Sequence, residues 1–468
     1  MTRSVTFVLN TDVVSFEVPT GRPLLDVIRN EAGLKGTKAA CREGDCGSCV
    51  VLVGEPSDFG VRYRPVTSCL VPVGCVVGCH VITVEGLDPG RITALHQPFI
   101  DQGASQCGFC TPGFLVALAG HLLGCPTWEL EPALDSMAGN ICRCTGYAPI
   151  ERATEAILAR LRDRVALDEP RFAALVRENL LPAALRDARS KAQRLEPIWR
   201  GEGRDRPVAG GTDLYVQRPE DFVVANVDLV PNRRPALRLD GDDLVLAGTA
   251  TAEDLKRSSE LAAWLGDIAG PMDLMGSWPI RERATLAGNI VNASPIGDMT
   301  AILMALDARL ELVRGDDRRI VPLRSFYRGY KTMDLAPGEL VDEIRIRRRP
   351  GVRFNFEKVS KRRCLDIASV NTAAALWLDD GVIVAAGLSA GGVAPVPLAL
   401  TAAEAAVVGR RPDSATAWAA ATAAVDESSP ISDVRGSADY KRLLLRQLVL
   451  GHFQALFGLS GELLEVPA

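Results

Sequence analysis

Cys41-Arg-Glu-Gly-Asp-Cys46-Gly-Ser-Cys49 places three thiols on one short loop, with four and then two residues between them, and Cys69 offers a fourth after one more expected strand. This is the plant-type ligand spacing of a [2Fe–2S] cluster. A zinc site more often divides its ligands between two separate CxxC-like knuckles. Gly44 and Gly47 fit the cluster reading, because a chain wrapped round a small cluster needs residues that take positive φ and aim N–H groups at sulfur.

A second set follows in Cys107-Gly-Phe-Cys110 and Cys142-Arg-Cys144. Residues two apart in extended chain project to the same side, so Cys142 and Cys144 can grip one cluster from a single segment. Thr111-Pro112 reads as N-cap and first position of a helix through Phe114, Leu115, Leu118 and Leu122. Pro149 opens another, with Ile150, Ala153, Ile157 and Leu161 on one face. Helix N-termini favour anions, and a thiolate-rich cluster is anionic, so both helices begin where such a cluster is stabilised.

Zinc held by CxxC with CxC is the rival for the second set. Disulfides are not expected among the 12 cysteines, since Met1-Thr-Arg-Ser runs into a strand pattern at Val5, Phe7 and Leu9 without the character of a secretory signal. Cys75-Val-Val-Gly-Cys79-His80 has one residue too many for haem attachment and reads as strand core. Cys125 and Cys364 stand alone and read as ordinary buried or half-buried thiols.

A chain of 468 residues allows about three domains, and its 47% hydrophobic and 24% charged residues are those of globular protein rather than a disordered one. A net charge of −5 leaves no electrostatic footprint for nucleic acid. No apolar run approaches the roughly twenty residues of a membrane span, so the expected location is the cytoplasm. With four histidines in all, histidine acid/base chemistry is a poor fit.

The elements that must position the cysteines follow in order. A hairpin over 4–18 turns at Asn10-Thr11-Asp12, Pro23 opens a helix burying Leu25, Ile28 and Ala32, and strands follow the cluster loop at Cys49–Val53, Thr67–Val71 and His80–Glu85. That order is a β-grasp ferredoxin. From Gly86 helices take over to about residue 165, and the Arg- and Ala-rich stretch over 160–200, broken by Pro170, Pro182 and Pro197, reads as a partly helical tether.

Arg206-Pro207-Val208-Ala209-Gly210-Gly211-Thr212-Asp213-Leu214 is a short strand breaking into a turn whose successive N–H groups can cradle a pyrophosphate, or a plain tight turn. It is neither a Walker loop nor a GxGxxG fingerprint. Arg283-Ala284-Thr285-Leu286-Ala287-Gly288-Asn289 and the run on to Asp298 offer close backbone approach at Gly288 and hydrogen-bonding side chains at Thr285, Asn289 and Ser294. Asp298 either accepts from a ligand hydroxyl or caps the helix of Met299–Leu306, capping being the plainer role. Glu339–Arg347 reads as a strand with Arg345 to Arg349 on a solvated edge. Further strands are expected at Phe354–Val359 and Ala373–Leu378, and helices at Ala402–Val408, Ala415–Val425 and Tyr440–Phe457.

These motifs resemble the molybdenum hydroxylase (xanthine oxidase) family across essentially the whole chain, and within it the small subunits of bacterial xanthine dehydrogenases. The resemblance implies a multidomain α+β chain: a β-grasp [2Fe–2S] ferredoxin domain over 1–87, an all-α [2Fe–2S] domain over 88–165, a linker over 166–195, a two-lobed α+β FAD-binding (PCMH-type) domain over 196–345 and an α+β CO dehydrogenase flavoprotein-like C-terminal domain over 346–464. It assigns Cys41, Cys46, Cys49 and Cys69 to one cluster, Cys107, Cys110, Cys142 and Cys144 to the other, and Gln106 to a contact with the pterin of the molybdenum cofactor. Residues 207–214 and 284–289, with Asp298 and Lys358, are implied to bind FAD. Val359–Ala368 is similar to a segment beside the flavin, with Cys364 where acidic residues are frequent.

The family's molybdenum domain is larger than this chain and no segment remains to form it. The resemblance therefore implies a separate large subunit on which hypoxanthine and xanthine are oxidised to urate, an α2β2 assembly, and no catalytic residue on this chain. Its expected role is electron transfer from molybdenum through two clusters to FAD and on to NAD+, which would dock on the flavin face rather than in a Rossmann crevice. The same residues would serve a hydroxylase acting on another N-heterocycle or an aldehyde, and a zinc-binding structural protein is the reading from a different class.

Overall fold

The computed structural model describes residues 2–57, 60–88, 90–124, 126–195, 207–230 and 235–459. Cys125, Arg206 and the expected ends of the flavin domains at 196–206 and 460–464 lie outside these residues. The chain divides into two compact units, Met1–Pro231 with Gly276–Arg283, and Asn232–Met275 with Ala284–Ala468.

The first unit begins with the hairpin β1 (Arg3–Leu9) and β2 (Asp12–Val18), Leu9 opposite Asp12, turned by Asn10 at φ 55°. Strands β3 (Val50–Ser57), β4 (Gly60–Thr67) and β5 (His80–Ile82) complete a sheet in the order β2-β1-β5-β3-β4. Only β1 and β5 run parallel. Val5, Phe7, Val51 and Val81 bury one face against Leu24, Val27 and Ile28. The helix after Pro23 is a single α-turn, Leu24–Asp26, that widens into a π-turn over Val27–Glu31. This is the β-grasp arrangement.

Three local expectations need correction. The strand expected at Thr67–Val71 ends at Thr67, and Ser68–Leu70 forms a 3-10 turn that carries Cys69 to within 3.4 Å of Cys49, sulfur to sulfur. The supposed strand core around Cys75 is another 3-10 turn, Val73–Val76, started by Pro72; Cys79 is buried beyond it and Cys75 half-buried. The strand from His80 stops at Ile82 and gives way to a helical turn over Val84–Leu87.

Helices α1 (Gln97–Asp101), α2 (Thr111–Gly124), α3 (Leu130–Met137) and α4 (Ala148–Arg164) form the expected all-helical segment. α2 is apolar on nearly every side and buried from Gly113 to Leu122, as a central helix must be. The stretch expected to be a tether is instead folded. It forms α5 (Arg171–Arg177) and α6 (Leu185–Ala192), whose Phe172, Leu175 and Leu185 join Leu52, Leu118 and Leu161 in one core, while Ala188 and Ala192 pack on Val8. Pro170 caps the start of α5 and Pro182 stands three residues before α6, while Pro197 lies outside the described residues. The unit closes with the two-residue strands β6 (Pro207–Val208) and β7 (Asp228–Leu229), paired in parallel, and the short helix α7 (Trp278–Arg281).

Among the described residues the second unit has two larger sheets and a two-stranded one, Tyr327–Gly329 with Thr332–Met333. Strands β8 (Leu237–Asp240), β9 (Asp243–Ala247), β10 (Arg309–Arg314), β11 (Asp317–Pro322) and β12 (Leu340–Arg347) pair antiparallel in the order β11-β10-β12-β9-β8. β12 is thus central rather than an edge. Arg345 sits in a charge ladder with Asp240, Glu311 and Glu343 on the face away from the hydrophobic core, where opposite charges on neighbouring strands offset one another. The inner face packs Leu244, Leu246, Leu310 and Ile344 against helices α8 (Leu286–Asn292) and α9 (Asp298–Ala305).

The second sheet, β13 (Val352–Val359), β14 (Val370–Asp379), β15 (Val382–Gly391) and β16 (Leu398–Ala399), is covered by α10 (Thr401–Val407), α11 (Ser414–Asp426) and α12 (Ala438–Phe457). Helix α9 also lies on this sheet. An added Cβ at Gly387 would stand 1.9 Å from the Ala305 carbonyl oxygen, so the strand needs a bare backbone there.

Candidate functional site

The first cysteine loop is held in a form that only particular residues tolerate. Arg42, Gly44 and Gly47 all have positive φ, at 59°, 81° and 67°. An added Cβ at Gly44 would come within 2.7 Å of both Leu70 and Ile280. The loop wraps tightly, with Cys49 and Cys69 buried and Cys41 and Cys46 half-buried. The Glu43 N–H points at the Cys41 sulfur at 3.4 Å, and the Ser48 hydroxyl lies 3.1 Å from that of Cys46.

The sulfurs associate in pairs. A hydrogen bond with the Cys41 thiol brings Cys46 down to about 4 and pushes Cys41 up, and Cys69 likewise lowers Cys49 while its own pKa rises. In each pair the shared hydrogen bond lowers one thiol and raises its neighbour. Two pairs suit a two-iron cluster, in which each iron takes two cysteines, better than one tetrahedral ion ringed by four.

The second set repeats the scheme. Cys107 and Cys144 lie 3.6 Å apart, both exposed; Phe109 N–H and the Cys144 thiol lower Cys107, and Cys144 rises in turn. Burial, then Cys142, pushes Cys110 up to about 12. Cys142 is lowered: burial opposes its charge, but Thr145, 3.2 Å away, and Cys110 outweigh it. Helix α2 starts one residue after Cys110, and α4 starts after Tyr147, a residue at φ 70° whose hydroxyl accepts the Cys142 N–H at 3.1 Å.

The two loops are joined directly. The Ile141 N–H donates to the Cys46 carbonyl at 3.1 Å, and Asn140 Nδ2 donates to the Gly47 carbonyl at 3.0 Å. Cβ atoms on Gly47 or Gly113 would fall within 2.6 Å of atoms across this junction, so both glycines are required for the approach. One ligand of the first set and the residue before Cys142 thus share a hydrogen bond. Asn140 and Tyr147, which shape the junction and the second loop, have no spacing signal that points to them.

The segments expected to hold a flavin fall in different units. In the first, Ala209 to Thr212 turn sharply after β6, with Gly211 at φ 79°, and Asp213 and Leu214 lead into a helical turn, Leu214–Gln217. Val208 and Tyr215 share a small core with Cys49, Cys69 and Leu70, so this turn is seated beside the first cysteine loop. Arg283, which sequence reasoning did not single out as a site residue, donates to the Ala209 and Gly210 carbonyls at 3.2 and 2.8 Å.

In the second unit, Thr285 caps α8 by accepting from the Gly288 N–H, and Asn289 Oδ1 accepts from the Thr300 N–H and hydroxyl. Those two oxygens serve the fold. Gly297, rather than Asp298, is the N-cap of α9. The Asp298 carboxylate instead accepts from Lys358 Nζ at 2.7 Å and from Asn371 Nδ2, and the almost fully buried Lys358 also donates to the Leu274 carbonyl. Asp298 and Lys358 therefore form one buried ion pair. Cys364 is half-buried.

Comparison with known proteins gives four domain matches in order. A 2Fe-2S iron-sulfur cluster binding domain matches residues 7–85 and a [2Fe-2S] binding domain residues 83–155. The FAD binding domain in molybdopterin dehydrogenase matches residues 182–348, and the CO dehydrogenase flavoprotein C-terminal domain residues 356–456. Xanthine dehydrogenase of Emericella nidulans is 27% identical over 483 residues, covering 87% of this chain and 35% of that protein. Aldehyde oxidase 4 of Cavia porcellus is 25% identical over 498 residues, covering 91% and 37%. The chain thus spans about a third of the length of these curated relatives. Carbon monoxide dehydrogenase from Hydrogenophaga pseudoflava shares its fold over 54% of this chain and 89% of that one, at 28% identity and a TM-score of 0.51. Matches to two [2Fe–2S] domains, an FAD domain and a flavoprotein C-terminal domain thus follow one another along a single chain.

Proposed function

We propose that this chain, an iron–sulfur and flavin module of the molybdenum hydroxylase type, is the electron-transfer subunit of a xanthine dehydrogenase. In this reading Cys41, Cys46, Cys49 and Cys69 hold one [2Fe–2S] cluster and Cys107, Cys110, Cys142 and Cys144 the other, while residues 207–214 and 284–289, Asp298 and Lys358 serve FAD. When bound, the clusters carry single electrons and FAD accumulates two for transfer to NAD+. The chain's own residues set the spacing, shield the sulfurs and donate hydrogen bonds.

The observation that carries the proposal is the junction, where the Cys46 carbonyl accepts from the residue preceding Cys142. Two ligand loops welded in this way make a relay and have no evident use in a zinc-stabilised scaffold. The second set is the outward one. Exposed Cys107 and Cys144 are accompanied by exposed Gln106, Phe109, Ile141 and Tyr147, an apolar rim suited to a large molybdenum-bearing partner, with Gln106 able to reach its pterin. The turn Ala209–Thr212 follows Val208, which shares a core with Cys69 and Leu70, and this supports a reading in which the first set is the one nearer the flavin.

The purified chain should contain four irons and one flavin. Cys107→Ser should abolish the electron paramagnetic signal of one cluster and spare the other. Colourless protein with two zinc ions and no iron ends the proposal. The substrate belongs to the partner, and relatives named for xanthine and for aldehydes both resemble this chain, so the complex is to be assayed with each and NAD+. Oxidation of an aldehyde but not xanthine would move the assignment to another hydroxylase. Native mass measurement tests the α2β2 assembly. Among the described residues no helix is long and apolar enough to cross a membrane.

A further inference from the structure

The turn Ala209-Gly210-Gly211-Thr212 presents its carbonyls to one side chain. Arg283 Nη2 donates to the Ala209 oxygen at 3.2 Å and the Gly210 oxygen at 2.8 Å, and touches the Cys75 sulfur at 3.4 Å. In a planar trans peptide the C=O and the following N–H point in opposite directions. Drawing the carbonyls of Ala209 and Gly210 toward the guanidinium therefore turns the N–H groups of Gly210 and Gly211 away from it, side by side. Neither these N–H groups nor that of Thr212 has a hydrogen-bond partner among the described residues. Successive unpaired N–H groups in a turn form a concave anion site, and Gly211 at φ 79° supplies the left-handed step such a turn needs.

We propose that Arg283 is a positioning residue for flavin phosphate: it grips the carbonyl side of this turn so that the opposite, N–H side is preset for a pyrophosphate. The assignment rests on the flavin reading above and deepens it. Arg283 does not touch the anion. It acts through the peptide planes, and its positive charge on the far side of the turn adds to the field favouring an anion. Arg283 immediately precedes Ala284 in the chain, so the residue that shapes one expected flavin segment adjoins the other.

The test compares FAD with riboflavin, which lacks phosphate, as ligands of the flavin-depleted full-length chain, with iron measured on the same samples. Arg283→Met should weaken FAD by about tenfold or more, the scale of about 1.4 kcal/mol, leave riboflavin affinity unchanged and keep four irons. Arg283→Lys, with one cationic donor instead of a fork, should recover part of the loss. Equal FAD affinity in Arg283→Met and the parent overturns the assignment, as does an equal loss for riboflavin. Should the methionine variant not fold, Arg283→Lys carries the test alone, and unchanged FAD binding there likewise overturns it. A parent chain that takes up no FAD at all overturns the flavin reading itself and this assignment with it.

Discussion

Replacing Gly47 by alanine would set a Cβ 2.5 Å from the Gly139 carbonyl oxygen, 2.6 Å from Asn140 Nδ2 and 2.8 Å from Asn140 Cα. Two of those atoms belong to the backbone of the other cysteine loop and cannot swing aside. Gly47 also sits at φ 67°, where a side chain costs about 1 kcal/mol, and overpacking of this kind adds about 1–3 kcal/mol. The expected loss is about 2–4 kcal/mol. Gly33 separates the two contributions: its φ of 73° is similar, but nothing lies within 4 Å of its added Cβ, so Gly33→Ala should lose only the backbone share. Urea unfolding of the cluster-loaded chain gives the stabilities, and iron content with electron paramagnetic spectra reports each cluster. Because the clash moves Asn140 and Ile141, and Ile141 is bonded to Cys46, both cluster signals should decline together in Gly47→Ala while Gly33→Ala keeps four irons. A Gly47→Ala chain as stable as Gly33→Ala, with full iron, would refute the junction as a structural requirement.

Other outcomes follow from the same contacts. Lys358→Met leaves the Asp298 carboxylate largely buried without its cation and should cost about 3 kcal/mol or more, part of which Asp298→Asn in the same chain restores; denaturant midpoints of the three chains decide. Burial holds the imidazoles of His80 and His121 down to about 4 and that of His452 to about 3, so below the ordinary value near 6.5 the unfolded chain takes protons the folded chain refuses. Stability should therefore be full above pH 6.5 and fall on acidification toward 4, by up to about 1.4 kcal/mol per pH unit for each histidine; a flat profile of unfolding free energy between pH 7 and 5 contradicts this. Phe109→Asp should weaken association with the large subunit, read by co-purification, with iron and flavin unchanged, because the side chain is 45% exposed beside Cys107 and Cys144.

Much of the candidate site was legible because its constraints are local. A ligand loop with three thiols at fixed spacing, glycines where the chain must turn left-handed, and helices starting next to Cys110 and Cys144 are all consequences of neighbouring residues. The C-terminal helices could be read the same way, and the structure moves their ends by at most two residues. The errors share a cause as well. Residues 166–195 look like a tether because arginine and proline dominate them, yet Phe172, Leu175 and Leu185 find a core formed by distant strands and helices. Asp298 looked like a cap until Lys358 and Asn371, from the other sheet, claimed its carboxylate.

The amino-acid sequence alone determined which eight thiols could serve as ligands and where the chain could bend around them, since both depend on covalent spacing and backbone freedom. Tertiary structure alone decided that the sulfurs pair as they do, that Asn140 and Ile141 lock onto Gly47 and Cys46, and that Arg283 reaches the carbonyls of Ala209 and Gly210. The bonds of Arg283 join residues more than seventy positions apart and those between the two loops more than ninety, and no local pattern encodes a partner that only folding brings within hydrogen-bond range.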